Sequence, residues 1–369
     1  MIMNYLQTTS QNDGVHARQI AFFSAFLLPT YKLLEAPSLL ARYAKGDLLL
    51  PALFHFLLQT GLLLLLLYAS SRSEKTLLSR MEERLGKWSI AVYIVYALFF
   101  LFYAVLPLLD LEKFVYAIFY DTSPTLFSFA FFFILCGFVC TKGIKCMGRI
   151  ADLSLFLFLL PFLLLLLMSL VEADASNLLP FFERPLSDTG KAFTYTTPHF
   201  SDVVLILPLL GNLRYQKGDG KKITLGYATG SLLTLLFLGV FYAVYSTVAP
   251  REHYAFAKIA QYFPALTIVG RVDLILVYAL CIVLFFYTLS PLLFSAYCIA
   301  KPLKTHRKTL VAFCIALGAF LFVLFCNKYY NRIYELIAGK LFVIFYLIAD
   351  LLPLSLIFLS KRKEQKNNA

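Results

Sequence analysis

The chain has 369 residues, of which 60% are hydrophobic and only 15% are charged, and its mean hydropathy is +0.76. Water-soluble globular proteins carry about 25% charged residues, so this composition excludes an ordinary soluble domain and indicates a membrane protein. The net charge of +12 does not indicate nucleic-acid binding, because the basic residues stand in short groups between long apolar runs.

Ten apolar segments are predicted to be membrane spans, each of which needs about 20 mostly apolar residues. Their limits are 17–41, 48–69, 89–116, 124–141, 150–171, 191–213, 223–248, 269–300, 309–326 and 340–360. The first residues lack the basic-then-apolar build of a signal peptide, so we expect the first segment to stay in the protein as a span. Residues 1–360 are thus predicted to form one transmembrane domain, followed by a basic tail over 361–369.

Lysine and arginine are unequally distributed between the loops. The two termini and the loops after spans 2, 4, 6 and 8 hold about twice as many basic residues as the other loops. Because cytoplasmic loops carry the excess of positive charge, both termini and the basic tail are predicted to be cytoplasmic. The chain is therefore expected to be a multi-pass protein of the cell membrane.

The ten spans divide into two blocks of five. Repeat one covers about 17–171 and repeat two about 191–326, with the segment 340–360 as the tenth helix. A block with an odd number of spans inverts its successor across the membrane, which is the arrangement of many secondary transporters. The predicted fold is an all-α integral membrane protein with two inverted five-helix repeats, in which spans 1 and 6 are equivalent.

Prolines and polar residues interrupt spans 1 and 6. The interruption in span 1 is Pro29, Thr30, Tyr31 and Lys32, followed by Glu35, and that in span 6 is Thr196, Thr197, Pro198 and His199, followed by Ser201 and Asp202. Because a proline removes a backbone donor and crowds the preceding turn, both spans are predicted to break there. The alternative is that the prolines only kink the two helices and serve helix packing. Two breaks at matching positions favour a midplane ligand site, where helix N-termini would attract a carboxylate and unwound carbonyls an ammonium or cation.

The ionisable residues of the two breaks allow more than one interpretation. Lys32 and Glu35 are close enough in sequence to form an ion pair on one helix, or they serve a gate or site. Lys32 could also act as a fixed cation in the place of a coupling sodium ion or proton. His199 is either a proton-sensitive switch or a packed hydrogen-bonding residue. Asp202 either pairs with Lys32 or caps the second half of span 6.

Three further polar regions complete the set of candidates. Tyr287 and Ser290 in span 8 are predicted to line the cavity, unless they serve helix packing. Asp110 and Glu112 lie towards the end of span 3, where a solvated rim is expected. The segment 250–268 alternates aromatic and charged residues and is predicted to be an amphipathic helix on the outer surface.

Motifs for chemistry are missing from the sequence. It contains no glycine-rich nucleotide loop, no metalloprotease or hydrolase signature, and no histidine–cysteine cluster with metal-ligand spacing. We therefore predict that the protein is not an enzyme and uses no metal or other cofactor.

Four short motifs occur in a characteristic order along the chain. The segment 121–153 contains Ser123-Pro124, then Gly143-Ile144 and Arg149; it is followed by SNLLPFFE at 176–183, HFSDVVLILPLL at 199–210 and GRVD at 270–273. With these motifs the chain resembles the B-subunit family of spore germination receptors, which is amino-acid-permease-like. The chain departs from the family at Thr196–His199, where an aromatic-Pro-aromatic-Gly stretch is usual, and at Asp202, where Glu is usual.

The resemblance implies a LeuT-like fold of the amino acid/polyamine/organocation superfamily. It also implies binding of an amino acid or similar small germinant, partnership with the A and C subunits of a germinant receptor, and a place in the inner membrane of an endospore. We expect a receptor subunit that binds a small amino-acid-like germinant and signals to its partners. The alternatives are an amino-acid permease coupled to protons or sodium, and a channel or structural subunit without a ligand.

Overall fold

The computed structural model describes residues 14–73, 75–119, 125–179, 182, 184–261, 272–303, 308–351 and 353, and in these ranges every regular element is helical. The α-helices are α1 (Ala17–Phe22), α2 (Leu28–Lys32), α3 (Ala36–Ala44), α4 (Leu49–Ser71), α5 (Leu77–Leu85), α6 (Ser89–Phe119), α7 (Thr125–Lys142), α8 (Ile144–Ser169), α9 (Leu186–Phe200), α10 (Asp202–Leu210), α11 (Asp219–Tyr245), α12 (Ala255–Gln261), α13 (Val272–Leu303), α14 (Lys308–Cys326), α15 (Tyr330–Tyr334) and α16 (Phe342–Ile344). The all-helical prediction is therefore confirmed for the described part of the chain.

Long apolar helices make this a multi-pass membrane protein. Within the described ranges, six stretches are long and apolar enough to cross a membrane: Ala36–Ser71, Leu77–Ala117, Ile144–Ser169, Asp219–Arg251, Leu274–Pro302 and Thr309–Lys340. A shorter apolar helix covers Ala130–Lys142. The count of ten spans remains a prediction, and the end of the tenth segment and the basic tail over 361–369 lie outside the described residues.

Large apolar side chains cover the outside of these helices. Leu57 on α4, Phe131 on α7 and Phe156 on α8 are 60%, 77% and 74% exposed, respectively. In water such surfaces would drive aggregation, whereas against lipid tails they cost nothing. The outward faces of the bundle are therefore suited to hydrocarbon.

Span 1 is broken as expected, but one turn later than its proline. A π-helical turn, Phe23–Leu27, precedes α2, and the helix is interrupted at residues 33–35 before α3 begins. The prediction that Pro29 to Lys32 themselves form the break is wrong. Pro29 lies just after the π-helical turn, so the helix continues through the proline and is interrupted only after Lys32.

Span 6 breaks at a single residue. Helix α9 runs through Pro198 to Phe200, Ser201 leaves the helical region with a ψ of 66°, and α10 starts at the next residue. The predicted interruption, Thr196 to His199 with Ser201 and Asp202, therefore contains the break, which lies at Ser201 alone. Thr196 and Thr197 remain in the helix, and their hydroxyl groups donate back to carbonyls one turn earlier, at 2.7 and 3.0 Å.

Helices five positions apart in the predicted order of spans pack against each other. The extensive contacts include α6 with α13, α7 with α14, α3 with α9, and α4 with α11. These pairs correspond to predicted spans 3 and 8, 4 and 9, 1 and 6, and 2 and 7. The broken spans therefore face each other at the centre of the described bundle.

Two glycines bring α11 close to the first half of span 1. A Cβ atom added at Gly226 would lie 2.5 Å from the carbonyl oxygen of Ala21, and one at Gly230 would lie 2.3 Å from that of Ser24. Both distances are shorter than van der Waals contact allows, so only glycine fits without a shift. The four-residue spacing places both glycines on one helix face, which is the pattern of close helix contacts in membranes. The approach positions Tyr227 beside the broken spans.

Candidate functional site

A buried ion pair joins the two broken spans. The ammonium nitrogen of Lys32, at the end of α2, lies 2.5 Å from Oδ1 of Asp202, at the start of α10, and both side chains are 1% exposed. Tyr227 of α11 donates its hydroxyl to Oδ2 of Asp202 at 2.9 Å, and Lys32 also donates to the carbonyl of Leu28 at 3.2 Å. We call Lys32, Asp202 and Tyr227 the ion-pair cluster.

These contacts decide between the alternatives for the charged residues. Of the two predicted roles of Asp202, the ion pair with Lys32 is the one formed, and no side-chain cap of α10 is present. The expected pair between Lys32 and Glu35 is wrong, because the helix turns away between them. Phe56 and Phe200 lie 6.0 and 5.6 Å from the Lys32 nitrogen, so aromatic faces add to the compensation of its charge.

The N-terminus of α10 is already occupied by the protein's own side chains. The backbone N–H of Val203 donates to Oε1 of Gln59 at 3.0 Å, and the amide nitrogen of Gln59 donates to Asp350 at 3.0 Å. Asp202 places its own carboxylate in the first turn of the same helix. A ligand carboxylate was expected at this helix end. It would have to displace the side chains that already bond to the N-terminus of α10.

The carbonyl groups freed by the break in span 1 are also taken. The N–H groups of Ala255 and Phe256, at the start of α12, donate to Leu34 and Leu33 at 2.9 and 3.1 Å. The expectation of a helix lying on the surface over 250–268 is thus wrong for α12, whose residues are mostly buried against the break. Residues 262–268 lie outside the described residues.

A histidine just before α12 holds the charged residue of this break. Nδ1 of His253 lies 3.0 Å from Oε2 of Glu35. Hydrogen bonding to Glu35 raises the pKa of His253 above its ordinary value, against the opposing effect of partial burial. The imidazole of His253 is 58% exposed and the side chain of Glu35 is 7% exposed, so a solvent-exposed histidine covers a buried carboxylate.

A second buried carboxylate lies on α6. Asp110 is 0% exposed and accepts hydrogen bonds from the hydroxyl groups of Tyr31, at 2.7 Å, and Tyr330, at 2.6 Å. The expected solvated rim is wrong, because Glu112 is also buried, at 2% exposure, and accepts from Asn327 at 2.8 Å. The packing of α15 and the turn before it over this end of α6 excludes solvent.

Aromatic rings extend this region to span 6 and span 8. The ring of Tyr31 stacks on His199, with centroids 4.9 Å apart, and on Tyr287 at 5.0 Å. The hydroxyls of Tyr287 and Tyr103 lie 2.8 Å apart. His199 is 0% exposed, and no residue in the described part of the chain forms a hydrogen bond with either of its ring nitrogens. We call Tyr31, Asp110, His199, Tyr287 and Tyr330 the tyrosine–aspartate cluster.

The other predicted site residues contribute less directly. Thr30, Ser201 and Ser290 are buried, but each hydroxyl donates to a carbonyl of its own chain segment three or four residues earlier. Thr196 does the same and also lies 3.2 Å from Nε2 of His55. These groups shape the helices and offer no free donor at the junction.

Sequence reasoning missed several partners of the site. His55 and Gln59 interrupt the apolar run of span 2, and this was a usable signal. Tyr227 and Tyr330 gave no such signal, because tyrosine is frequent in this chain. Within the described residues no group of histidines, cysteines and carboxylates could hold a metal ion. A groove of about 390 Å³ at the end of α11 includes none of the predicted site residues.

The fold is similar to that of MhsT, a solved structure. MhsT in complex with L-phenylalanine superimposes with a TM-score of 0.60 at 14% sequence identity, covering 90% of this chain and 87% of that chain. Mhp1, a nucleobase-cation-symport-1 family transporter in a closed conformation with bromovinylhydantoin bound, gives a TM-score of 0.42 at 13% identity, covering 91% of this chain and 78% of that chain. The likeness to MhsT indicates a LeuT-like transporter fold.

The protein family of this chain is shown by a match to a family model. The family model described as "Spore germination protein" matches residues 48–331, which is well over half of the chain. The chain belongs to this family, as its motifs predict. A comparison with curated proteins found no match.

Proposed function

We propose that this protein is the membrane subunit of a spore germinant receptor and binds a small amino-acid-like germinant between the broken spans. The observation that carries the proposal is His199, a fully buried imidazole without a hydrogen-bond partner at the junction of spans 1 and 6. Leaving a buried polar group unpaired costs about 1–3 kcal/mol, and His199 leaves both of its ring nitrogens unpaired within the described residues. A ligand that bonds to His199 would remove this cost.

The junction is placed to report on a bound ligand. Tyr31 of span 1 stacks on His199 of span 6, so one small molecule would contact both broken helices. A ligand shifts an equilibrium only by its difference in affinity for the two states. Binding in the tyrosine–aspartate cluster would favour the arrangement that keeps both breaks together, and A and C partner subunits would respond to that change.

Two further observations support the wider proposal. The pairing of helices five positions apart supports ten spans in two inverted repeats. The excess of lysine and arginine in the loops on the side of the termini supports a cytoplasmic location for both termini. The likeness to MhsT, which was solved with L-phenylalanine, supports an amino-acid-sized ligand. Membership of the spore germination protein family supports a place in the inner membrane of an endospore.

The second candidate is an amino-acid permease, favoured by the LeuT-like fold itself. Its coupling ion would be a proton or sodium. The ammonium of Lys32 already neutralises Asp202 at the junction, and a fixed cation there would repel a sodium ion. Proton coupling is therefore the stronger form of this alternative.

Radiolabelled amino-acid binding and flux in proteoliposomes separates the two candidates. The purified protein is tested with and without proton and sodium gradients. Saturable binding without accumulation supports the receptor subunit, whereas gradient-driven accumulation makes the protein a permease. A channel or structural subunit would give neither, which contradicts both proposals.

Three substitutions test the site itself. Tyr31→Ala, Thr197→Leu and His199→Leu are expected to abolish the response of a reconstituted receptor to its germinant. Thr194→Leu is the matched control for Thr197→Leu, because Thr194 lies one turn earlier on the same helix, is partly exposed, and donates its hydroxyl to the carbonyl of Lys191. A response unchanged by all three site variants contradicts the proposed location.

A further inference from the structure

We infer that the site recognises its ligand through a positively charged ammonium group, and that Asp110 is the residue that binds it. This inference rests on the proposed function and specifies its ligand class: small amines, including amino acids recognised by their amino group. The carboxylate of an amino acid is not required for recognition.

Asp110 differs from Asp202 and Glu35, the carboxylates of the breaks, and from Asp350, which also forms no ion pair within the described residues but accepts from Gln59 at the start of α10. Asp202 is paired with Lys32, and Glu35 is paired with His253. Asp110 accepts only from the neutral hydroxyls of Tyr31 and Tyr330, and no ion pair is formed by it within the described residues. A buried carboxylate without a cation is costly, so a cationic ligand group would be favoured there.

The carboxylate of Asp110 can accept further hydrogen bonds. A carboxylate offers about four lone-pair positions, and the two tyrosine hydroxyls use one on each oxygen. The neighbouring cation does not fill the remaining positions. The ammonium of Lys113 lies over the ring of Tyr330, 3.8 Å from its centroid, and makes no ion pair with Asp110.

Two backbone carbonyls of the break in span 1 are not available for this role, because those of Leu33 and Leu34 accept from the start of α12. Free carbonyls in a broken helix would otherwise bind a cationic group. Asp110, whose carboxylate is bonded to Tyr31 beside His199, is placed to bind an ammonium instead.

The imidazole of His199 offers a second contact beside the Asp110 carboxylate. It is stacked on Tyr31, and one ring nitrogen can donate a hydrogen bond while the other accepts one. The rings of Tyr31 and Tyr330 contribute their hydroxyls rather than their faces, because Tyr31 stacks on His199 and Tyr287 and Lys113 lies over Tyr330. The Lys32 ammonium is already paired with Asp202 and is not free to bind a ligand carboxylate.

The first test compares ligands that differ only in charge. Alanine, leucine and phenylalanine are each used as the free amino acid, as the amide, which keeps the ammonium group, and as the N-acetyl derivative, which lacks it. Thermal unfolding of the purified full-length protein in detergent reports binding, because a ligand of the native state raises Tm. For at least one skeleton, the free amino acid and the amide are expected to raise Tm while the N-acetyl derivative does not.

The outcomes separate this inference from the function on which it rests. Stabilisation by an N-acetyl derivative equal to that by its amide means that a ligand site exists but does not read the ammonium group. This result overturns the inference and leaves the proposed function standing. No stabilisation by any of the compounds contradicts both.

The second test changes the carboxylate. Asp110→Asn is expected to weaken binding of the free amino acid and the amide roughly tenfold to a hundredfold, the range expected for loss of a charge-assisted hydrogen bond. Glu112→Gln is the matched control, because Glu112 is a buried carboxylate on the same helix that faces a different direction. Unchanged amide affinity in folded Asp110→Asn protein overturns the assignment, and the wild-type series decides the charge preference even if this variant does not fold.

Discussion

The ion-pair cluster and the tyrosine–aspartate cluster are built from neighbouring positions of the same two broken helices, yet their polar groups are satisfied very differently. Tyr31 and Lys32 are adjacent on span 1, and His199 and Asp202 stand three residues apart on span 6. Lys32 and Asp202 satisfy each other, whereas His199 has no partner. One cluster is complete within the chain, and the other leaves hydrogen-bonding capacity unused.

This difference indicates that the ion-pair cluster serves stability and that the neighbouring tyrosine–aspartate cluster serves ligand binding. The ion-pair cluster ties the two breaks together and shields its charges with Phe56, Phe200 and Tyr227. The tyrosine–aspartate cluster retains an unpaired imidazole and a carboxylate without a cation. Substitutions in the first region should therefore lower stability, and substitutions in the second should mainly lower ligand binding.

The largest effect is expected from breaking the ion pair. Lys32→Met leaves the Asp202 carboxylate buried without its cation, which costs about 3–5 kcal/mol. Thermal unfolding in detergent should show a large loss of Tm. The double variant Lys32→Met/Asp202→Leu should recover most of it, because replacing both charges by apolar groups is often neutral. A single variant as stable as the wild type would contradict the structural role of the pair.

A smaller loss is expected where α11 approaches span 1. Gly230→Ala places a methyl group against the Ser24 carbonyl and should destabilise the protein by about 1–3 kcal/mol. Gly239→Ala, on the same helix, is the matched control, because nothing lies within 4 Å of its added Cβ atom. Comparison of the two unfolding midpoints checks the close contact. Equal stability of the two variants would show that α11 does not approach as described.

Two buried histidines should respond in opposite directions. His55 lies 3.0 Å from the carbonyl of Phe193, so His55→Phe should cost about 1 kcal/mol through the lost hydrogen bond. His199→Phe keeps the stacking on Tyr31 and removes an unpaired polar group, so it should leave the free energy of unfolding unchanged or raise it. Denaturation of both variants without ligand tests this contrast. A clear loss of stability in His199→Phe would mean that the imidazole has a partner in the protein.

The smallest effect concerns pH. The pKa of His253 is raised by Glu35, so the bond between them stabilises the folded state fully below about pH 6.5 and is lost as pH rises through the raised folded pKa. Because the imidazole is 58% exposed, with Arg42 and Glu252 nearby, the contribution should stay below about 1 kcal/mol. The difference in Tm between wild type and His253→Gln should shrink with rising pH. A difference that grows would reverse the assigned sign.

The general architecture could be predicted from sequence because lipid imposes strong constraints. Apolar length gave the helices, and the paired polar interruptions indicated the breaks in spans 1 and 6. The break in span 6 falls at Ser201, within the predicted interruption, whereas the helix of span 1 continues through Pro29 and is interrupted only at residues 33–35. The position of a proline predicts a disturbed helix more reliably than it predicts the residue at which the helix stops.

Partners contributed by distant segments could not be predicted. Of the candidate residues, Tyr31, Lys32, His199, Asp202 and Tyr287 come together, but their contacts with Asp110, Tyr227 and Tyr330 depend on how helices cross. The pairing of Glu35 with His253 joins residues far apart in the chain. Hydropathy and spacing along one helix contain no information about which neighbouring helix supplies such a partner, and the burial of Asp110 depended on the packing of α15.

The most direct test of the central claim is ligand-induced stabilisation of His199→Phe beside the wild type. Both proteins are titrated with the amino acid or amide that gives the largest rise in wild-type Tm. The account predicts that the variant is at least as stable as the wild type without ligand but shows little or no further rise with it. A normal ligand-induced rise in Tm for His199→Phe would contradict the claim that the unpaired imidazole belongs to the binding site.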